Sequence, residues 1–83
     1  MSGGWSLYIL RCSDGTLYTG IAVDVRSRLE AHRSGKGAKY TRGRRPLEVV
    51  YTEECGSHSD ALKREIAIKR LTRLEKEALI KQK

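Results

Sequence analysis

Residues 5–21 read Trp-Ser-Leu-Tyr-Ile-Leu-Arg-Cys-Ser-Asp-Gly-Thr-Leu-Tyr-Thr-Gly-Ile, and no other stretch constrains the fold as much. Two β-prone apolar runs, 5–12 and 17–21, flank Asp14-Gly15. Asp-Gly between such runs is a strong hairpin signal. The chain therefore commits to antiparallel sheet near its start. Tyr8 and Tyr18 fall on opposite arms of this hairpin. Whether both rings leave the same face depends on a register that the sequence does not fix. Gly20 has no side chain, so another group can approach the backbone there.

Asp24 is a good N-cap for a helix over 25–34, in which Val25, Leu29 and His32 recur at helical spacing. Arg28 and His32 are four residues apart and share one face of that helix. Ser34-Gly35 stops it. An exposed basic loop follows, with Lys36, Lys39, Arg42, Arg44 and Arg45. The third strand is expected over 47–52, with Pro46 at its entry, and 53–56 reads as a turn. Ser57 and Asp60 offer a cap for a helix over 58–70, where Ala61, Leu62, Ile66 and Leu71 recur. Thr72 and Glu75 form a second capping box, starting a last helix over 73–82 with Leu74, Ala78 and Leu79 facing inward. The order β-β-α-β-α-α predicts an α+β fold, a small three-stranded antiparallel sheet flanked by helices.

A chain of 83 residues holds one domain, expected to span 1–83. With 39% hydrophobic residues and no Phe, its core is thin and rests on Leu, Ile, Val, Trp5 and the tyrosines. No apolar run reaches the roughly 18 residues of a membrane span. Met1-Ser2-Gly3-Gly4 does not open a signal peptide, so a soluble, intracellular (cytoplasmic) protein is expected. Cys12 and Cys55 form no Cys-x-x-Cys pair, and His32 and His58 do not complete a zinc spacing. Free buried thiols are the simpler state for them, with a disulfide left open.

The net charge is +7, and its location matters more than its size. Residues 26–45 carry eight Lys or Arg (Arg26, Arg28, Arg33, Lys36, Lys39, Arg42, Arg44, Arg45) against one acid, Glu30, while the rest of the chain is balanced. Charge concentrated in this way favours a polyanion partner. An anionic membrane fits less well, because the basic run has few apolar anchors. A solvated basic loop with no partner is the ordinary alternative.

Four features occur in order: Ser6-Leu7-Tyr8, then Tyr18-Thr19-Gly20, then Asp24-x-x-x-Arg28-x-x-x-His32, then Glu65 inside a helix. The set resembles the GIY-YIG nuclease superfamily, most closely its short stand-alone bacterial members, over about residues 6–79. The loop from Gly37 to Pro46 also resembles that of Slx-type structure-specific endonucleases. The resemblance implies metal-dependent cleavage of a DNA phosphodiester, with Tyr8, Tyr18, Arg28, His32 and Glu65 around one phosphate. It implies Glu65 as ligand of Mg²⁺ or Mn²⁺, and Arg28 as the clamp on the scissile phosphate. Tyr18 would organise or activate the attacking water and Tyr8 would position it, while His32, with a pKa near 6.5, is the better proton acceptor by itself. Phosphate contacts are expected from Arg26, Lys36, Lys39, Tyr40, Thr41, Arg42, Arg44, Arg45 and Lys69.

Each residue also has an ordinary explanation. Glu65 could simply pair with Lys69 at i,i+4. The tyrosines could be strand packing, and His32 a helix C-terminal residue favoured by the dipole. Arg28 could position a backbone without taking part in catalysis. Some departures from the family pattern bear on function. A lysine that some repair members carry three residues after the second tyrosine is Ile21 here, and a tryptophan that Slx-type members often carry after the loop proline is Leu47. No residues remain for the zinc-binding domain of Slx-type proteins. Recognition is therefore expected to come from DNA shape (a branch or a nick) or from a partner protein, in repair or recombination. The competing reading is a non-catalytic nucleic-acid-binding module that keeps the fold.

Overall fold

The structure is a computed structural model and describes residues 4–34 and 46–82. Its elements are β1 (Trp5–Arg11), β2 (Leu17–Ala22), α1 (Val25–Arg33), β3 (Glu48–Gly56), α2 (His58–Lys69) and α3 (Arg73–Lys81). The strands form one sheet in the order β2-β1-β3, with both pairs antiparallel. The α+β architecture and the β-β-α-β-α-α order are those expected.

The hairpin closes where Asp14-Gly15 placed it. Cys12 N donates to Thr16 O at 2.9 Å, and Gly15 N donates to Cys12 O at 2.9 Å. Gly15 takes φ +87°, a conformation that a side chain would strain. Asp14 Oδ1 accepts from Thr16 N at 3.1 Å and from Thr16 Oγ1 at 2.6 Å, which stiffens the turn. The closure sets Tyr8 opposite Gly20 and Leu10 opposite Tyr18. Because side chains alternate along a strand, both tyrosines leave the same face.

The sheet buries both faces. Tyr8, Leu10, Cys12, Ala22 and Leu47 form a cluster on one side, covered by Val25 and Leu29 of α1. Leu7 and Ile9 face the other side and pack on Ile68 of α2, with Leu71, Leu79 and Ile80 around them. The result is a three-layer sandwich with β1 in the middle of its central layer.

The helix starts follow the capping residues. Asp24 accepts from Ser27 N, Ser57 Oγ accepts from Asp60 N, and Thr72 and Glu75 cap each other reciprocally. All but one boundary lie within a single residue of expectation. The exception is the segment 53–56: it continues β3, with Glu53 opposite Leu7 and Glu54 opposite Ser6. Acids are poor strand formers, but β3 is an edge strand, where charge is tolerated and guards against further pairing. Two expected core positions are also corrected. Leu74 is 82% exposed and Ala78 is exposed, so Leu79 and Ile80 make the inward face of α3. The capping box places Leu74 at the second position of its helix, ahead of the turns that reach the sheet. Leu62 and Ile66 are exposed too, and α2 docks through Ala61 and Ile68. Trp5 is half-buried and stacks on His58 with ring centroids 4.3 Å apart. Both cysteines are free thiols. Among the described residues, no helix is long and apolar enough to cross a membrane.

Candidate active site

Three rings meet on the α1 side of the hairpin. Tyr8 lies beneath α1, and its hydroxyl is 2.9 Å from His32 Nε2. Tyr18 packs its ring edge-on to His32 at 5.3 Å and lies 6.4 Å from the Tyr8 ring. The backbone makes this possible at Gly20. A Cβ built there would lie 2.5 Å from the Tyr8 hydroxyl oxygen and 2.7 Å from Cζ. The Tyr8 ring therefore occupies the space that any other residue at position 20 would fill.

Tyr8 is 1% exposed and His32 is fully buried. Burial disfavours the charged form of each. It pushes the Tyr8 phenol above its ordinary pKa; a bond to Arg28 pulls the other way, and the nearby Tyr18 and Glu65 add to the rise. Burial likewise pushes His32 below its ordinary value, and the Arg28 charge pushes it further. His32 is thus neutral at neutral pH. With Tyr8 protonated, the O–H donates and Nε2 accepts.

Arg28 stands one turn before His32 on α1 and is exposed, yet it acts on both buried groups. A guanidinium at the mouth of a buried polar pair is where an anionic oxygen would be held. Glu65 comes from α2, in the opposite layer, and its charge reaches Tyr8. Its side chain is only 19% exposed, and its Oε2 lies 3.3 Å from Lys69 Nζ. The ordinary i,i+4 pair expected for Glu65 is therefore present, together with its electrostatic reach to Tyr8.

Among the described residues, no three His, Cys, Asp or Glu side chains converge as a metal cage. The donors at hand are one carboxylate and phenol oxygens. That is a poor set for zinc, but it suits Mg²⁺, which keeps several waters and takes one or two carboxylates plus substrate phosphate oxygens. The Lys69 ammonium already pairs with one oxygen of that carboxylate, at 3.3 Å.

The structure thus brings Tyr8, Tyr18, Arg28 and His32 together, with Glu65 in range and Lys69 on Glu65. Arg26 is exposed on α1. Two residues from Arg28, it sits about 200° round the helix from it. Lys36, Lys39, Tyr40, Thr41, Arg42, Arg44 and Arg45 lie outside the described residues. A surface cavity of about 570 Å³ opens elsewhere, lined by Ser6, Val23, Asp24, Val25, Thr52, Glu53 and Glu54. It contains none of these site residues, and its carboxylates would repel phosphate. Thr52 is a neighbour that sequence reasoning missed: it sits opposite Tyr8 on β3, and only the strand register reveals it.

Comparison with known proteins agrees with this fold. Residues 4–78 match the family model described as the GIY-YIG catalytic domain. The chain is 54% identical over 77 residues to a UPF0213 protein of Staphylococcus aureus strain Mu3, covering 93% of this chain and 94% of that one. It is also similar to the solution NMR structure of UPF0213 protein BH0048 from Bacillus halodurans. There the identity is 46% and the TM-score 0.63, over 96% of this chain and 85% of the other. The solution NMR structure of EF2693 from E. faecalis gives 40% identity and a TM-score of 0.63, over 92% of this chain and 82% of that one.

Proposed function

The chain belongs to the GIY-YIG family, and from that premise we propose that it is a divalent-metal-dependent DNA endonuclease. It acts as a single domain inside the cell, in repair or recombination, and selects its substrate by DNA structure. The observation that carries this reading is the buried Tyr8–His32 hydrogen bond with Arg28 at its mouth. Burying a neutral imidazole and a phenol under a short helix costs stability unless they are paired. The same pair is poised for proton transfer.

Water approaching the phosphorus loses a proton to Tyr8 oxygen as Tyr8 passes its own proton to His32 Nε2. The resulting hydroxide forms the new P–O bond and the bond to the leaving oxygen breaks, that oxygen taking a proton from solvent. This reading gives the relay to Tyr8, where the family resemblance implies Tyr18 as organiser or activator of the water and His32 as the better proton acceptor. Tyr18 then orients the His32 ring and the water. Arg28 holds the non-bridging oxygens and offsets charge that develops on them. Glu65 would hold Mg²⁺, whose charge stabilises the phosphate and the leaving group when bound.

End-labelled flap, fork, nicked and plain duplex DNA, each with Mg²⁺, Mn²⁺ or EDTA, test the reading. The expected result is metal-dependent cutting that favours branched or nicked substrates. Tyr8→Phe and Arg28→Ala should each lose roughly 10²- to 10³-fold in rate. Glu65→Gln should lose cutting and keep DNA binding. Binding with no cleavage by the wild-type protein would instead favour the non-catalytic module. The Glu65–Lys69 ion pair is the observation on that side.

A further inference from the structure

We propose that Lys69 is a positioning residue that sets the metal affinity of Glu65, holding the carboxylate until a divalent ion displaces it. The proposal rests on the metal-dependent reading above. Its basis is the ion pair itself, with Lys69 Nζ 3.3 Å from Glu65 Oε2.

The two partners are unequal. The Glu65 side chain is mostly buried, at 19% exposure, and so is fixed in direction; the Lys69 side chain is 54% exposed and can swing away. Glu before Lys at i,i+4 is also the favourable helical order. A divalent ion must replace the ammonium at the same oxygen or bind beside it against like charge. Either way Lys69 weakens the site for metal in the free protein. A substrate phosphate gives the ammonium another partner. Ion and substrate should therefore bind cooperatively, each tightening the other by the same factor. Lys69 is thus a phosphate ligand, as its sequence position suggests, only after it leaves Glu65.

Mn²⁺ titration of the intact protein without DNA, followed by the EPR signal of the free ion at low salt, tests this directly. Lys69→Gln should tighten Mn²⁺ binding by roughly three- to tenfold. Lys69→Arg should leave it near wild type. Glu65→Gln should lose the site in both the wild-type and the Lys69→Gln background. Far-UV circular dichroism confirms that each variant is folded. Unchanged or weaker Mn²⁺ binding in Lys69→Gln, with loss in Glu65→Gln, overturns this proposal and leaves the metal reading standing. Mn²⁺ binding unaffected by Glu65→Gln overturns both.

Discussion

At the scale of single residues, the site depends on one missing side chain. Gly20 sits opposite Tyr8, and a methyl group there would meet the ring at 2.5–2.7 Å. Gly20→Ala should drive the Tyr8 ring off His32. On the proposed reading, cleavage falls by at least roughly 10²-fold while DNA affinity holds, because Tyr8 serves the proton transfer and phosphate binding is left to basic side chains. Overpacking should also cost about 1–3 kcal/mol in urea unfolding. An unchanged rate in Gly20→Ala would remove Tyr8 from the chemistry. His32 supplies a second test. Its folded pKa lies below the ordinary 6.5, so near and just below that value the unfolded chain binds more protons than the folded one. Stability must then rise with pH across that window and fall on acidification. Urea midpoints measured from neutral to mildly acid pH should show this slope in the wild type and a shallower one in His32→Gln. Protonated His32 cannot accept from Tyr8, so on the proposed reading the cleavage rate should fall as pH drops through the folded pKa, at the acid end of that window. These residues could be named as candidates from the ordered motifs that carry the family resemblance. Their shared face could not be read there, because a one-residue slip of the hairpin would have sent Tyr18 to the other side. Only the closed turn, with Gly15 at φ +87°, settles it.

At the scale of elements, the caps were the most readable signal. Asp24, Ser57 and Thr72 each start a helix where they were expected to, because one short side chain and one backbone N–H decide a helix start locally. What the sequence hid was set by interactions between distant segments. Glu53 looked like part of a turn. In the structure its carboxylate accepts from the Tyr51 hydroxyl at 2.6 Å and from Arg64 Nε at 2.7 Å, tying β3 to α2. Docking of α3 is equally non-local. Arg11 of β1 makes two bonds to Glu77, at 3.1 and 3.0 Å, and Arg73 adds a third at 3.0 Å. These guanidinium groups hold the Glu77 carboxyl at a pKa of about 2, below its ordinary 4.5. A depressed carboxyl contributes stability above its unfolded pKa and loses it as pH falls through the folded one. Glu77→Gln should therefore unfold at lower urea than wild type near neutral pH. The gap between them should close as pH falls from about 4.5 toward about 2. A gap that is independent of pH would mean that the glutamine packs poorly and that charge is not the cause.

At the scale of the whole molecule, the candidate site draws on all three layers. Tyr8 and Tyr18 come from the sheet, Arg28 and His32 from α1, and Glu65 from α2 beyond the sheet. A core of few large side chains holds those layers in register. The charge map is simpler and could be read from the sequence: residues 26–45 carry the net +7, and the remainder is neutral. Division of labour follows on the proposed reading. Arg28 belongs to the reacting phosphate, whereas Lys36, Lys39 and Arg42 grip flanking phosphates and carry no sequence information. Counterion release then fixes the outcome of a salt titration. Binding of duplex DNA, followed by fluorescence anisotropy, should weaken linearly in log–log form as salt rises. Replacing Lys36, Lys39 and Arg42 with Gln should flatten the slope by about 0.9 for each phosphate that is no longer neutralised. The cleavage rate at saturating DNA should stay near wild type, because the proposed reading assigns these three to flanking phosphates and the reacting phosphate to Arg28. A fall in that saturated rate with an unchanged slope would put the basic segment in the active site, and would return to Arg28 the binding role assigned here to its neighbours.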